Sequence, residues 1–586
     1  MSPASPPLST PPPTFSGDTL DLILNRLLPT LLVTALSARS LVGRWRLLHS
    51  KLSVLLSSLS AAASASSAPY SSANPLFTDL LPNLLTTLRS LESLSSRCLD
   101  PTLPSGKLHL QSDLDIATAS LSLHIHDLEL LLRSGLLNQP NPHSTAIVLS
   151  LPSSSASRAD LSLFVRDLFA RLQIGAIDLK IKALDSLLQF LESDPPKLAP
   201  VVAQEGDLSS LIRLLDPSSH SLIRDSAATA VSLLATASAT SRHILFDEGA
   251  LGPLLRVLET GSLAVKEKAA AAVEVITADT TNAWAVAAYG GVSILINACR
   301  PGSGSPSIQS LAASSLNYIS SIDGLRDSIA EEGAVPVLID LLSSGSPSAS
   351  KNAALCLWSL ASFGGEAIRV SIVEEGGLRN LLQLLSDFSL SSDPDISEHT
   401  LRAIHALSLS SAVAKTLSSS PGFFLQLTDL ILRSSGATQL AAAAVLSNLS
   451  PSDELKRYMS PSMVALVKML ESSKPESAQE IASRALVSLL AVRSNRKELA
   501  RDEKSIMRLV QMLDPGREEV CKKYPVFVIH ALAAGGGVGC RRRLGEAGAC
   551  SQLQKLADAD VPGARKALNR ITGGRFKNIF SFIRRE

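Results

Sequence analysis

One apolar spacing recurs along most of this chain and limits what it can fold into. Leu251 is followed by Leu254, Leu255, Val257 and Leu258, that is, by apolar residues at +3, +4, +6 and +7. Leu208, Leu211, Ile212, Leu214 and Leu215 repeat the pattern, as do Val335, Leu338, Ile339, Leu341 and Leu342, and Leu378, Leu381, Leu382, Leu384 and Leu385. On an α-helix these positions share one face. The anchors are Val165, Leu208, Leu251, Val292, Val335, Leu378, Phe424, Met463, Ile506 and Cys550, with steps of 39 to 46 residues, mostly 43. A unit this short cannot bury its own apolar face, so neighbouring units must stack into a continuous core.

Glycine stands two residues before the anchor in seven units, at Gly206, Gly249, Gly290, Gly333, Gly376, Gly422 and Gly548. A left-handed glycine there would end one helix and turn the chain into the next. Each unit then reads as a short helix, a glycine turn, a second helix, a loop and a third helix. The end units should be less apolar outside, as Arg171 at +6 in the first and Gln554 at +4 in the last suggest.

The segments EEGAVPVLIDLLSSG (331–345) and ASKNAALCLWSLAS (349–362) resemble the armadillo-repeat family. The resemblance covers 161–572, about ten repeats. It implies an all-α, right-handed superhelical solenoid whose concave groove is lined by the third helices.

Ahead of the repeats, residues 1–16 are Pro/Ser-rich and read as disordered. Residues 17–135 show helical stretches near 18–38, 40–60, 76–98 and 113–134, an N-terminal helical bundle. Leu114, Ala117, Leu121, Leu128 and Leu132 share a face of the last stretch. A linker occupies 136–160. The segments at 40–52 and 105–135 are similar to the N-terminal region of plant armadillo proteins related to U-box ubiquitin ligases. The interval 136–160 holds no Cys-Pro-Ile core and no Trp-containing helix. The resemblance therefore implies a relative lacking the U-box.

Composition narrows the function. With 54 Lys+Arg against 53 Asp+Glu, no specific nucleic-acid binding is expected. Charge is uneven: eleven basic and four acidic residues lie from Arg541 onward. Six cysteines without a CxxC pair offer no zinc site, and scattered thiols suit a reducing compartment, cytoplasmic or nuclear. The N-terminus lacks the pattern of a secretory signal, and Ser2 excludes myristoylation. The uncharged stretch Thr280 to Cys299 is broken by Tyr289-Gly290-Gly291 where a repeat turn is due, which argues against a membrane span.

No catalytic, cofactor or metal site is expected. His124 and His126 fall on different helix faces, so they make a poor metal pair. Gly535 to Gly539 has no preceding strand and no following Lys-Ser/Thr, and reads as a connector. In groove-binding relatives such as importin-α, a third-helix Asn holds a peptide backbone and a Trp stands four residues earlier. Here the Asn lane keeps only Asn448 and the Trp lane keeps none. The residues pointing toward the groove and expected to bind a partner protein are Asn317, Tyr318, Trp358, Arg402, His405, Asn448, Arg484 and His530. After Gly573-Gly574, residues 573–586 form a basic amphipathic tail. Its Arg575, Phe576, Lys577, Ile579, Phe580, Ile583, Arg584 and Arg585 could meet an anionic, peripheral membrane surface or cap the last repeat. The expected function is a non-catalytic protein-interaction scaffold or adaptor. The alternatives are an adaptor working with a ubiquitin ligase and a scaffold tethered to membrane by that tail.

Overall fold

The computed structural model describes residues 15–65, 75–99, 107–134, 151–153, 156–388, 393–471, 475–535 and 537–573. Among them every regular element is helical. Two compact units are formed, Met1–Ile276 and Thr277–Glu586.

The first unit begins with a bundle. A helical run over Asp18–Ser37, with a π-helical turn at Ile23–Leu27, is followed by the helices Val42–Ala65, Pro75–Cys98 and Lys107–Arg133. Leucines set the packing at helical spacing: Leu48, Leu52, Leu55 and Leu59 in one helix and Leu84, Leu88 and Leu91 in the next are fully buried or nearly so. In the last helix Leu114, Ala117, Leu121 and Leu128 are buried, while Leu132 is half-buried. The bundle core continues into the first repeat through Ala170, Ile174 and Leu179.

That contact corrects the expectation for Arg171. It is 2% exposed, and its Nε donates to Asp167 Oδ1 at 2.9 Å across one helical turn. The bundle helix Lys107–Arg133 packs on Arg158–Ile174, so this repeat does not end the core and Arg171 does not face water. The anchor Val165 of this first repeat lies in the middle of Arg158–Ile174. Gln554, at the other end, is half-buried and bonds to Asp558.

The repeat register is clear in both units. Nine anchors are at most 9% exposed, and Cys550 in the last repeat is half-buried. The repeat around Val335 shows the plan: Leu325–Glu331, a turn at Gly333, Ala334–Ser344, then Pro347–Phe363. Val335, Leu338, Ile339, Leu341 and Leu342 are all buried, and each such side chain contributes roughly 1.5–3 kcal/mol. Ser346 caps the third helix, its Oγ accepting from the Ala349 N–H, and Pro347 takes the first helical position. Gly333 has φ +84°, a left-handed turn that L-residues resist. Gly249, Gly290, Gly376 and Gly548 adopt the same region. The expectation fails at Gly206, which is extended with φ −91° and abuts the Phe169 ring, and at Gly422, which lies within the helix Pro421–Arg433. Thr280–Ala288 and Gly291–Cys299 meet at 95° across Gly290, so that apolar stretch is two helices of one repeat. Gly537 to Gly539 form the first turn of Gly537–Glu546, where a connector was expected.

Polar ties repeat with the same period. Asn352 donates to the Ser310 carbonyl, Asn380 to that of Ile339, and Asn495 to that of Lys456, at separations of 42, 41 and 39 residues. An arginine in the first helix also closes the third helix of the repeat before it. Arg242 donates to the Ala235 carbonyl at 3.0 Å, Arg326 to Ser320 at 2.7 Å, Arg369 to Ala361 at 3.0 Å and Arg496 to Leu490 at 2.6 Å. Each puts a cation where unpaired carbonyls and the helix dipole favour one.

Candidate protein-binding face

Within Thr277–Glu586 the third helices are Pro306–Ser320, Pro347–Phe363, Pro394–Leu407, Gly436–Asn448, Glu476–Leu489, Lys523–Ala533 and Ala564–Ile571, each packed on the next. Leu316 and Ile319, Leu357 and Leu360, Ile404 and Leu407, and Leu486 and Leu489 are buried. Helical geometry then turns the residues between them outward.

The expected residues fall on this outward side to different degrees. Arg484 is exposed, and Asn317, Tyr318, Trp358, Arg402, His405, Asn448 and His530 are half-buried. The same lanes also contain buried members, Ser359, Ala406 and Ala444, because neighbouring third helices approach closely where side chains are small. Ser359 Oγ lies 2.8 Å from Ser320 Oγ in the preceding repeat. Asn448 is engaged in the same way: its Nδ2 donates to Ser408 Oγ at 3.1 Å, tying two repeats together.

Trp358 joins several of these groups. The Arg402 guanidinium lies 5.3 Å from the Trp358 ring centroid, and Arg402 also pairs with Glu398 at 2.7 Å. Trp358 also meets Phe363 edge-on at 6.1 Å, and Arg326 lies 5.0 Å from the Phe363 ring. Arg326, Phe363, Trp358 and Arg402 thus form a cation–aromatic row crossing from one repeat to the next. Trp358 is neither fully projecting nor hidden. Sequence inspection missed Phe363, Arg326 and Glu398. The available signals were the recurrent arginine nine residues before the anchor and an acid four residues before Arg402.

Farther along, positive charge prevails. Burial depresses the His405 pKa below its usual 6.5, and Arg484 depresses it further. His530 is lowered by burial and then by Arg570 and Lys566. Arg484, Lys566 and Arg570 are exposed and have no ion pair among the described residues. The acids on this side are already engaged: Glu398 with Arg402, Glu476 with Lys523 at 2.6 Å, and Glu480 with the Tyr524 hydroxyl at 3.4 Å. His124 and His126 belong to the N-terminal bundle. His124 Nε2 is 3.1 Å from Thr87 Oγ1, whereas His126 adjoins Asp127. The tail residues Arg575, Phe576, Lys577, Ile579, Phe580, Ile583, Arg584 and Arg585 lie outside the described residues.

Comparison with known proteins agrees with this architecture. Residues 23–136 match a family model described as a domain of unknown function (DUF7032), and residues 323–362 match the armadillo/β-catenin-like repeat. Curated proteins give no match. Among solved structures the chain is similar to an engineered protein, a Northeast Structural Genomics Consortium target. The two are 26% identical with a TM-score of 0.59, covering 70% of this chain and 99% of that one. A designed armadillo repeat protein is 24% identical with a TM-score of 0.37, covering 42% of this chain and 99% of that one. Another, in complex with the peptide (KR)4, is 21% identical with a TM-score of 0.37, at the same coverages. The fold is that of an armadillo-repeat protein with an N-terminal helical domain.

Proposed function

We propose that this armadillo-repeat protein is a non-catalytic scaffold or adaptor, and that the third-helix face of Thr277–Glu586 holds an extended, acidic segment of a partner protein. The observation that carries this reading is a set of cations with no ion pair among the described residues, Arg484 on Glu476–Leu489 and Lys566 and Arg570 together on Ala564–Ile571, with the local acids already engaged. A carboxylate-bearing chain laid across those helices would meet guanidinium and ammonium groups that need no displacement of an internal partner. Trp358 offers the aromatic contact at the other end of the same face, already oriented by Arg402.

Fluorescence anisotropy with a labelled Glu/Ser-rich peptide and a Lys/Ser-rich control tests the proposal. The acidic peptide should bind, weaken with salt, and be lost in the triple variant Arg484→Glu, Lys566→Glu, Arg570→Glu, while the control does not bind. Equal binding of the acidic peptide to the native chain and the triple variant would remove this face from the function. Tighter binding of single-stranded DNA than of the acidic peptide would replace a protein partner by a nucleic acid.

A further inference from the structure

Between Asp21 and Asp79 the chain has no acidic residue, yet it carries Arg26, Arg39, Arg44, Arg46 and Lys51. Arg26 lies in the π-helical turn Ile23–Leu27, and the other four cations lie on or between the helices Leu28–Ser37 and Val42–Ala65. Two of these cations serve the bundle: Arg44 pairs with Asp115 at 2.7 Å, and Lys51 donates to Ser122 Oγ at 2.8 Å. Arg26, Arg39 and Arg46 are exposed and have no ion pair among the described residues.

The corner between the two helices is firmly set. The backbone N–H groups of Arg39 and Ser40 both donate to the Cys98 carbonyl at 3.2 Å, and Leu41 holds φ +55°, a conformation leucine rarely adopts. Around this corner large aliphatic side chains face outward. Val33 and Leu36 are 66% and 68% exposed, Leu47 is 54% exposed, and Val42 is exposed as well. The inward side of the same helix, Leu28, Leu31 and Ala35, already supplies its contact with the bundle. Packing among the described residues therefore gives no reason for Val33 and Leu36 to be apolar. They make the run Asp18–Ser37 apolar on both faces, enough to match a bilayer span in length and composition. A second copy of the chain is a poor occupant, because a symmetric contact would set Arg39 and Arg46 against their own counterparts. Aliphatic side chains flanked by arginines that have no ion pair among the described residues, with Asp115 already taken by Arg44, instead complement an anionic lipid surface. The side chains can enter the interfacial layer while the guanidinium groups meet headgroup phosphates.

We propose that this helix corner of the N-terminal bundle is a peripheral docking site for anionic phospholipid surfaces. The test is co-sedimentation of the full chain with phosphatidylcholine vesicles, with and without phosphatidylserine. The native chain should bind only the phosphatidylserine vesicles, less so at high salt. Arg39→Glu with Arg46→Glu, and separately Val33→Ser with Leu36→Ser, should each reduce binding about tenfold or more. All these side chains are exposed, so unchanged thermal melting will confirm that the variants fold. Absence of binding by the native chain overturns the proposal. So does undiminished binding by both variants, which would move lipid contact to another basic region such as the one after Arg541. Binding that emerges only when residues 1–14 are deleted would make that segment the occupant, and a native dimer that dissociates in the aliphatic variant would make it a second copy; either result overturns the lipid assignment.

Discussion

Arg402 holds its guanidinium 5.3 Å from the centre of the Trp358 ring, in the preceding repeat, while pairing with Glu398 on its own helix. Arg402 is partly exposed, so solvent screening limits the ion pair to a fraction of a kcal/mol, and the ring contact adds about 0.5–1 kcal/mol. Arg402→Ala should therefore cost about 1 kcal/mol in urea denaturation. A double-mutant cycle with Trp358→Leu should return a coupling of about 0.5–1 kcal/mol. Zero coupling would mean that the stacked geometry adds nothing.

The Asp167–Arg171 pair should behave differently, since both side chains are almost wholly buried. Removing either partner strands a charge in the core, and Asp167→Ala or Arg171→Ala should each cost about 3–5 kcal/mol. Replacing both, as in Asp167→Leu with Arg171→Met, should cost much less than the two single losses added together. Additive losses would show that the residues act independently.

Stability should fall on the acid side. His405 and His530 have pKa values held below 6.5 first by burial and then by neighbouring cations, and burial also lowers His124 and His399. Above about pH 6.5 these rings are neutral folded or unfolded and impose no penalty. Below it the unfolded chain binds protons that the folded chain resists, so stability is lost as pH falls toward the lowered folded values. His405→Gln should flatten that loss. Arg484→Ala should raise the His405 titration midpoint measured by NMR, and an unmoved midpoint would remove Arg484 as a cause.

Glycines at equivalent sequence positions should respond unequally to alanine. Gly333→Ala should cost about 1–2 kcal/mol from backbone strain alone, because a Cβ there would meet nothing within 4 Å. Gly422→Ala should be neutral or slightly stabilising, since that site is helical and open. Gly206→Ala should destabilise by a third route, as its Cβ would come within 2.4 Å of the Phe169 ring. Thermal melts of the three variants separate strain, propensity and collision.

These differences show what the sequence could reveal. The +3, +4, +6, +7 spacing located the second helices because burial of one helix face leaves a periodic trace. Gly333 was legible for a similar local reason. Arg171 was misjudged because its environment comes from Asp167 and from a bundle helix distant in sequence. The row from Arg326 to Arg402 was only half legible. Trp358 and Arg402 stood out as residue types, but their meeting depends on how far one repeat rotates against the next, which the apolar spacing does not encode. Asn448 showed the same limit: its lane was identifiable, but its bond to Ser408 was not.

The arginines that close the third helices also bear on where this protein can be cut. Arg326 and Arg369 belong by sequence to one repeat but complete the helix end of the repeat before it. A fragment stopped at Ser320 or Phe363 would lose its terminal clamp and leave those carbonyls to water. One extended through Leu325–Glu331 or Gly365–Glu374 would keep it. The natural truncation boundary therefore falls after a first helix, out of phase with the repeat as its apolar pattern defines it.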